Sequence, residues 1–194
     1  MNPVLTLDHV SYSYHTPSGE TPALKDVSFS VRPGSFTSIA GPSGCGKSTL
    51  LSLIAGLITP EKGCIRFYKS DAMPAAARIG YMLQHDTLLE WRTIYKNILL
   101  GLEVTHQCTE QKKRLAADMM HDYGLASFKN AHPSELSGGM RQRAALIRTL
   151  VLEPDILLLD EPFSALDYQT RLEVSDDIFR IIKEQEKTAL LVTH

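Results

Sequence analysis

An α/β fold with a mostly parallel central sheet and flanking helices is predicted by three observations on the 194 residues. A glycine-rich stretch, Gly41-Pro42-Ser43-Gly44-Cys45-Gly46-Lys47-Ser48-Thr49, sits between an apolar run, Phe36 to Ala40, that reads as a strand and a segment, Ser48 to Leu57, that reads as a helix. A second apolar run, Ile156-Leu157-Leu158-Leu159-Asp160, shows no polar alternation and fits a strand buried on both faces of a parallel sheet. Between them, from Thr93 to Leu102 and from Thr109 to Tyr123, apolar residues recur closer to every 3.6 than every 2 positions, which predicts helices.

Taken in order, Val4 to Tyr14 alternates apolar and polar residues, Thr16 to Pro22 is a turn-rich break, and Val27 to Val31 is a second strand, so an antiparallel pair opens the chain. Pro33-Gly34 turns it into the strand before the glycine-rich loop. After the first helix come a loop at Thr59 to Gly63, a short strand at Cys64 to Tyr68, and another at Ile79 to Leu83 that ends at Gln84. The helices that follow form an inserted helical lobe over residues 85–153, within a core of residues 1–84 and 154–194. Its last helix, Gly139 to Leu152, has two glycines at its start, and Pro154 closes the connection into Ile156 to Asp160. Tyr168 to Glu186 reads as a long amphipathic helix and Thr188 to Thr193 as a last buried strand.

Composition narrows the function. A formal net charge of −2 and a pI near 6.4 carry no basic excess, so bulk charge gives nucleic-acid binding no support. No apolar run approaches the roughly 20 residues of a membrane span. The first ten residues lack a basic start followed by an apolar core, so the expected compartment is the cytosol. Three cysteines, Cys45, Cys64 and Cys108, are odd in number and far apart, the pattern of free thiols.

The stretch Gly41 to Thr49 fills every position of G-x-x-x-x-G-K-[ST], in the strand–loop–helix context of a P-loop NTPase. Glycines without Cβ atoms let successive N–H groups face a triphosphate, and the helix N-terminus adds partial positive charge. Lys47 is placed to reach the β- and γ-phosphates, and Ser48 offers a hydroxyl to Mg²⁺, which prefers oxygen ligands. At the carboxyl end of the buried strand, where open α/β sheets place ligands, Asp160 is expected to hold Mg²⁺ and Glu161 to polarise the attacking water. Taken alone an Asp-Glu pair would be a strand-end turn; its company in the chain gives it a chemical reading.

Leu136-Ser137-Gly138-Gly139-Met140 is a second small-residue turn at a helix N-terminus. Together, Gly41 to Thr49, Leu136 to Met140 and Ile156 to Glu161, in this order, resemble the ATP-binding subunits of ABC transporters over essentially the whole chain. The resemblance implies that two copies pack head to tail around two ATP molecules, with Ser137 to Gly139 of one copy closing on the γ-phosphate held by the other. It further implies that Tyr14 stacks on adenine, that Gln84 senses Mg²⁺ and the attacking water, and that Ser164, Ala165, Leu166 and Asp167 contact the opposite subunit. His194 matches a histidine that touches the γ-phosphate. Tyr12 and His15 compete with Tyr14 for its role, and Arg141 and Arg143 are read as structural, pairing with the last helix or solvent.

Leu88-Leu89-Glu90-Trp91-Arg92 resembles a Leu-Leu-Pro-Trp sequence of subunits serving nitrate, sulfonate and taurine importers, with Glu90 where proline is usual. In that family the region receives the membrane permease, which makes Trp91, the only tryptophan, a candidate contact. The function so implied is ATP-driven uptake of a small solute through separate permease subunits. It carries a homodimer of ATP-binding subunits, an extracytoplasmic solute-binding protein as indirect partner, no nucleic-acid partner, and a place on the cytoplasmic face of the membrane. The alternatives are a soluble ABC ATPase, which usually carries a coiled-coil insertion or tandem domains, and a P-loop kinase or GTPase, which leaves Leu136 to Met140 unexplained. The family continues past the matched histidine, so the chain is expected to be truncated, with its final strand left at an uncovered edge and its stability weak.

Overall fold

The second N-terminal strand runs much further than its sequence pattern suggests, whereas the first lies close to its expected bounds. In the computed structural model, which describes residues 2–17, 19–68, 76–163 and 168–193, the elements in chain order are β1 (Leu5–Thr16), β2 (Gly19–Val31), β3 (Phe36–Ala40), α1 (Lys47–Ile54), β4 (Lys62–Phe67), β5 (Ile79–Met82), α2 (Ile94–Val104), α3 (Glu110–Asp122), α4 (Gly138–Leu150), β6 (Ile156–Asp160), α5 (Tyr168–Glu184) and β7 (Thr188–Thr193). The span Thr16 to Pro22, expected as a break, is strand except at its tight connection: Thr16 pairs with Gly19 and Tyr14 with Thr21. Pro22 is tolerated because β2 is an edge strand in the antiparallel order β2-β1-β4, where a missing N–H costs no ladder bond.

The chain divides into two units. The first comprises Met1–Ile79, Asp155–Asp160 and Glu186–His194. It holds the antiparallel sheet, helix α1 and parallel strands in the order β3-β7-β6. Register aligns Ala40 with Thr193 and Val192 with Asp160, so the carboxyl ends of all three strands lie level. Ile156, Leu157, Leu158 and Leu159 have no exposed surface, nor do Ala189, Leu190 and Val192. Each such leucine contributes roughly 1.5–3 kcal/mol by leaving water. The terminal strand is therefore interior, hydrogen-bonded on both sides; the edge is β3, whose Ser38 and Ala40 are exposed. That corrects the expected uncovered β7. At the foot of β6, the Arg78 guanidinium donates to Asp155 Oδ1 at 2.9 Å and the Arg78 N–H to Oδ2 at 2.8 Å, which holds the Asp155 carboxyl below the usual range.

The second unit comprises Gly80–Pro154 and Glu161–Gln185, so it takes in α5 as well as the inserted helices. Thr93, Thr109 and Ser137 are the N-caps of α2, α3 and α4, each side chain accepting a backbone N–H three residues on. Helix α4 is the hub, packed against α2, α3 and α5, and its consecutive Ala144, Ala145, Leu146 and Ile147 are all buried, so it is covered around its circumference. Arg143 pairs with Asp177 on α5 at 2.8 Å, as the sequence reading allowed. Arg141 turns instead to Asp86, at 2.9 Å. Among the described residues, no helix is long and apolar enough to cross a membrane.

Candidate functional site

In the first unit the glycine-rich loop ends at Gly46, the N-cap of α1, with φ 95°. A Cβ there would lie 2.3 Å from the carbonyl oxygen of Ala23, so both the left-handed backbone and the neighbouring strand demand glycine. Ser43, Gly44 and Cys45 are exposed, and the first turn of α1 carries no acidic residue of its own. Lys47 is buried; its Nζ donates to Gly41 O at 2.7 Å and Pro42 O at 3.0 Å. An ammonium beside a glycine-rich loop at a helix N-terminus is the combination of groups that attracts an anion.

Behind the loop, Ser48 Oγ donates to Oδ1 of the buried Asp160 at 3.0 Å. A hydroxyl and a carboxylate set side by side are hard oxygen donors, the chemistry that suits Mg²⁺. Among the described residues no three His, Cys, Asp or Glu side chains converge as a metal cage. One or two protein oxygens beside the phosphates are the usual arrangement for this ion.

Tyr14 is 45% exposed, and its phenol is within hydrogen-bonding distance of Thr49 Oγ1 at 3.1 Å. Tyr12 and Tyr14 meet edge-on with ring centroids 5.1 Å apart, and His15 Nε2 lies 2.6 Å from Glu61 Oε1.

In the second unit Gln84 Nε2 donates to Glu161 Oε2 at 3.3 Å. Glu161 has φ 44°, an uncommon conformation for a residue with a side chain and one that concentrates at functional positions. Leu136 is buried, Ser137 is exposed while its Oγ caps α4 through Met140 N at 3.3 Å, and Gly139 is buried. Ser164, Ala165, Leu166, Asp167 and His194 lie outside the described residues.

The segment after Gln84 contains residues the sequence reading passed over. Asn97, with no exposed surface, accepts the Leu89 N–H at Oδ1 at 2.7 Å and donates Nδ2 to the carbonyls of Leu89, Arg92 and Thr93. Arg148 donates to Asp86 O at 2.7 Å, Thr87 O at 2.9 Å and Thr87 Oγ1 at 2.9 Å; burial pushes its pKa down, offset in part by Asp86. Held this way, the loop displays Trp91 with 77% of its surface in solvent. One signal was available: Asn97 is a polar residue on the face of α2 shared by Ile94 and Ile98, where burial requires partners.

Residues 24–164 match the ABC transporter family. The sequence is 49% identical over 190 residues to an uncharacterized ABC transporter ATP-binding protein, YtlC, of Bacillus subtilis, covering 98% of this chain and 73% of that protein. It is 45% identical over 175 residues to the aliphatic sulfonates import ATP-binding protein SsuB 1 of Rhodococcus jostii, covering 90% of this chain and 68% of that one. It is 42% identical over 173 residues to the taurine import ATP-binding protein TauB of Yersinia pestis, covering 89% and 68%. Among solved structures, the fold is similar to a dimeric post-hydrolysis state of the ATP-binding cassette MJ0796 bound to ADP and Pi, with TM-score 0.80 and 31% identity over 98% of this chain and 88% of that chain. It is also similar to cbiO1 from Clostridium perfringens, part of the ABC transporter complex cbiONQ, with TM-score 0.83 and 28% identity over 100% of this chain and 79% of that one.

Proposed function

Because the chain belongs to the ABC transporter family, we propose that it is the ATP-binding and ATP-hydrolysing subunit of an importer, driving uptake of a small solute through separate permease subunits. The observation that carries the chemistry is the Ser48–Asp160 hydrogen bond of 3.0 Å, which joins the phosphate loop to the end of the buried strand. Gly41, Pro42, Ser43, Gly44, Cys45, Gly46, Lys47, Ser48 and Thr49 bind the triphosphate, and Tyr14 supports the adenine. Ser48 and Asp160 hold Mg²⁺, and the family resemblance adds Gln84 to that ion; Mg²⁺ supplies charge neutralisation on the β- and γ-phosphates.

Glu161 accepts the proton of the attacking water. The water oxygen bonds to the γ-phosphorus, the bond to the β,γ-bridging oxygen breaks, and ADP and phosphate leave. Gln84, bonded to Glu161, orients that carboxylate. Leu136, Ser137, Gly138, Gly139 and Met140 close on the γ-phosphate of a second copy, so hydrolysis is tied to dimer closure, with Ser164 to Asp167 and His194 completing the site across the interface. Trp91 meets the permease at the cytoplasmic face of the membrane, where the subunit sits peripherally and serves an extracytoplasmic solute-binding protein indirectly.

Two relatives are named as import subunits, which disfavours a soluble non-transport ATPase. The test is to isolate the protein from membranes with whatever multispanning polypeptide accompanies it and to assay ATP hydrolysis by that complex. A stoichiometric membrane partner and hydrolysis lost on Glu161→Gln are expected. Recovery without a membrane partner would overturn the importer reading, and hydrolysis undiminished in the variant would overturn the assignment of Glu161.

A further inference from the structure

The segment between Gln84 and Trp91 is tied to one helix at two heights. Arg141, in the first turn of α4, donates Nε to Asp86 Oδ2 at 2.9 Å and NH1 to Leu136 O at 3.0 Å. Arg148, about two turns further along, donates to Asp86 O, Thr87 O and Thr87 Oγ1 at 2.7–2.9 Å. Two guanidinium groups on one rigid element therefore grip two consecutive loop residues. Thr87 has φ 48°, a left-handed backbone that the paired carbonyl bonds help to hold. Beyond this grip, Leu88 is buried and Asn97 fastens the backbone of Leu89, Arg92 and Thr93, so little slack is left between Asp86 and Trp91.

We propose that Arg148 is a positioning residue that couples helix α4 to the Trp91 loop, so that a displacement at the Ser137 end of α4 appears as a displacement of Trp91. The proposal rests on the reading that Ser137 to Gly139 engage ATP. A guanidinium suits the task because its planar fork can reach two carbonyls and a hydroxyl at once; an ammonium on a flexible stem cannot keep that geometry. Among the described residues the hydrogen bonds of Arg148 run to Asp86 and Thr87, neither of them assigned to nucleotide, so its loss should spare binding and weaken the transmission.

The chain provides its own reporter, since Trp91 is its only tryptophan and is exposed. The experiment uses the full chain with Glu161→Gln to retain ATP. It measures Trp91 emission and acrylamide quenching with and without ATP, binding of trinitrophenyl-ATP, and the thermal midpoint. The parent is expected to show an ATP-dependent change in Trp91. Arg148→Lys is expected to bind the analogue within about twofold of the parent, while the Trp91 response falls severalfold, to what the remaining Arg141–Asp86 pair carries. If Arg148→Lys melts too early to measure, Thr87→Ala removes one of the three bonds and is expected to lose about a third of the response. A full-sized response in either folded variant, or a parent that binds nucleotide with no Trp91 response, overturns the coupling. A parent that binds no nucleotide overturns instead the functional reading beneath it.

Discussion

Ser48 Oγ lies 3.0 Å from Asp160 Oδ1 although 112 positions separate the two residues. The bond fixes the first turn of α1 against the end of β6, and both groups are oxygens of the kind Mg²⁺ selects. Ser48→Ala is expected to retain metal-free nucleotide binding and to lose most of the gain in affinity that Mg²⁺ confers. Titrating ATP with and without EDTA measures that difference, and an unchanged Mg²⁺ gain would remove Ser48 from the metal site.

Replacing Glu161 by glutamine preserves its shape while removing the carboxylate proposed to take the proton. Turnover is expected to fall about 10²–10⁴-fold with ATP binding maintained and ATP-bound dimers accumulating. Steady-state phosphate release together with sedimentation of the ATP-bound form tests both parts.

Gly46→Ala and Gly44→Ala separate backbone strain from collision. Both glycines have positive φ, 95° and 77°, but only at Gly46 does a Cβ meet a backbone atom, Ala23 O at 2.3 Å. Gly44→Ala is expected to cost about 1 kcal/mol, the strain of a left-handed alanine, and Gly46→Ala clearly more. Denaturant unfolding of the two variants gives the comparison; equal losses would show that the loop yields at Ala23.

Cys45 is exposed within the phosphate loop. A maleimide placed there is expected to block nucleotide, and bound Mg-ATP to slow the labelling. Labelling at the same rate with and without Mg-ATP would place the thiol outside the nucleotide's footprint.

Trp91→Ala is expected to leave ATP binding and the thermal midpoint near wild type, because 77% of the side chain already faces solvent. Assembly with the permease should weaken, since a large aromatic at an interface is a usual anchor. Co-purification yield from membranes is the measurement, and an unchanged yield would remove Trp91 from the interface.

The parts legible from sequence were those whose physics is local. Gly41 to Thr49 announces itself because the turn, the lysine and the helix start are contiguous, and Ile156 to Asp160 because a strand buried on both faces has no polar alternation. The extent of β2 was not legible: Thr21 and Pro22 look like a break until β1 is alongside to pair with them. Arg141 is structural as expected, but its partner is neither the last helix nor solvent; nothing in its own neighbourhood points to Asp86, 55 positions away. The grip of Arg148 and Asn97 on the Trp91 loop was hidden for the same reason. Their partners are mostly backbone carbonyls, which every residue carries and no sequence pattern marks.

The bond between the Tyr14 phenol and Thr49 has a metrical consequence. Thr49 adjoins the serine assigned to Mg²⁺, so the half-exposed ring and the phosphate loop share an anchor and hold a set separation. A planar base resting on that ring is then kept at a constant reach from the loop. With Tyr14 in its proposed role beneath the adenine, the spacing would act as a length gauge that a nucleoside triphosphate, rather than a monophosphate, fills.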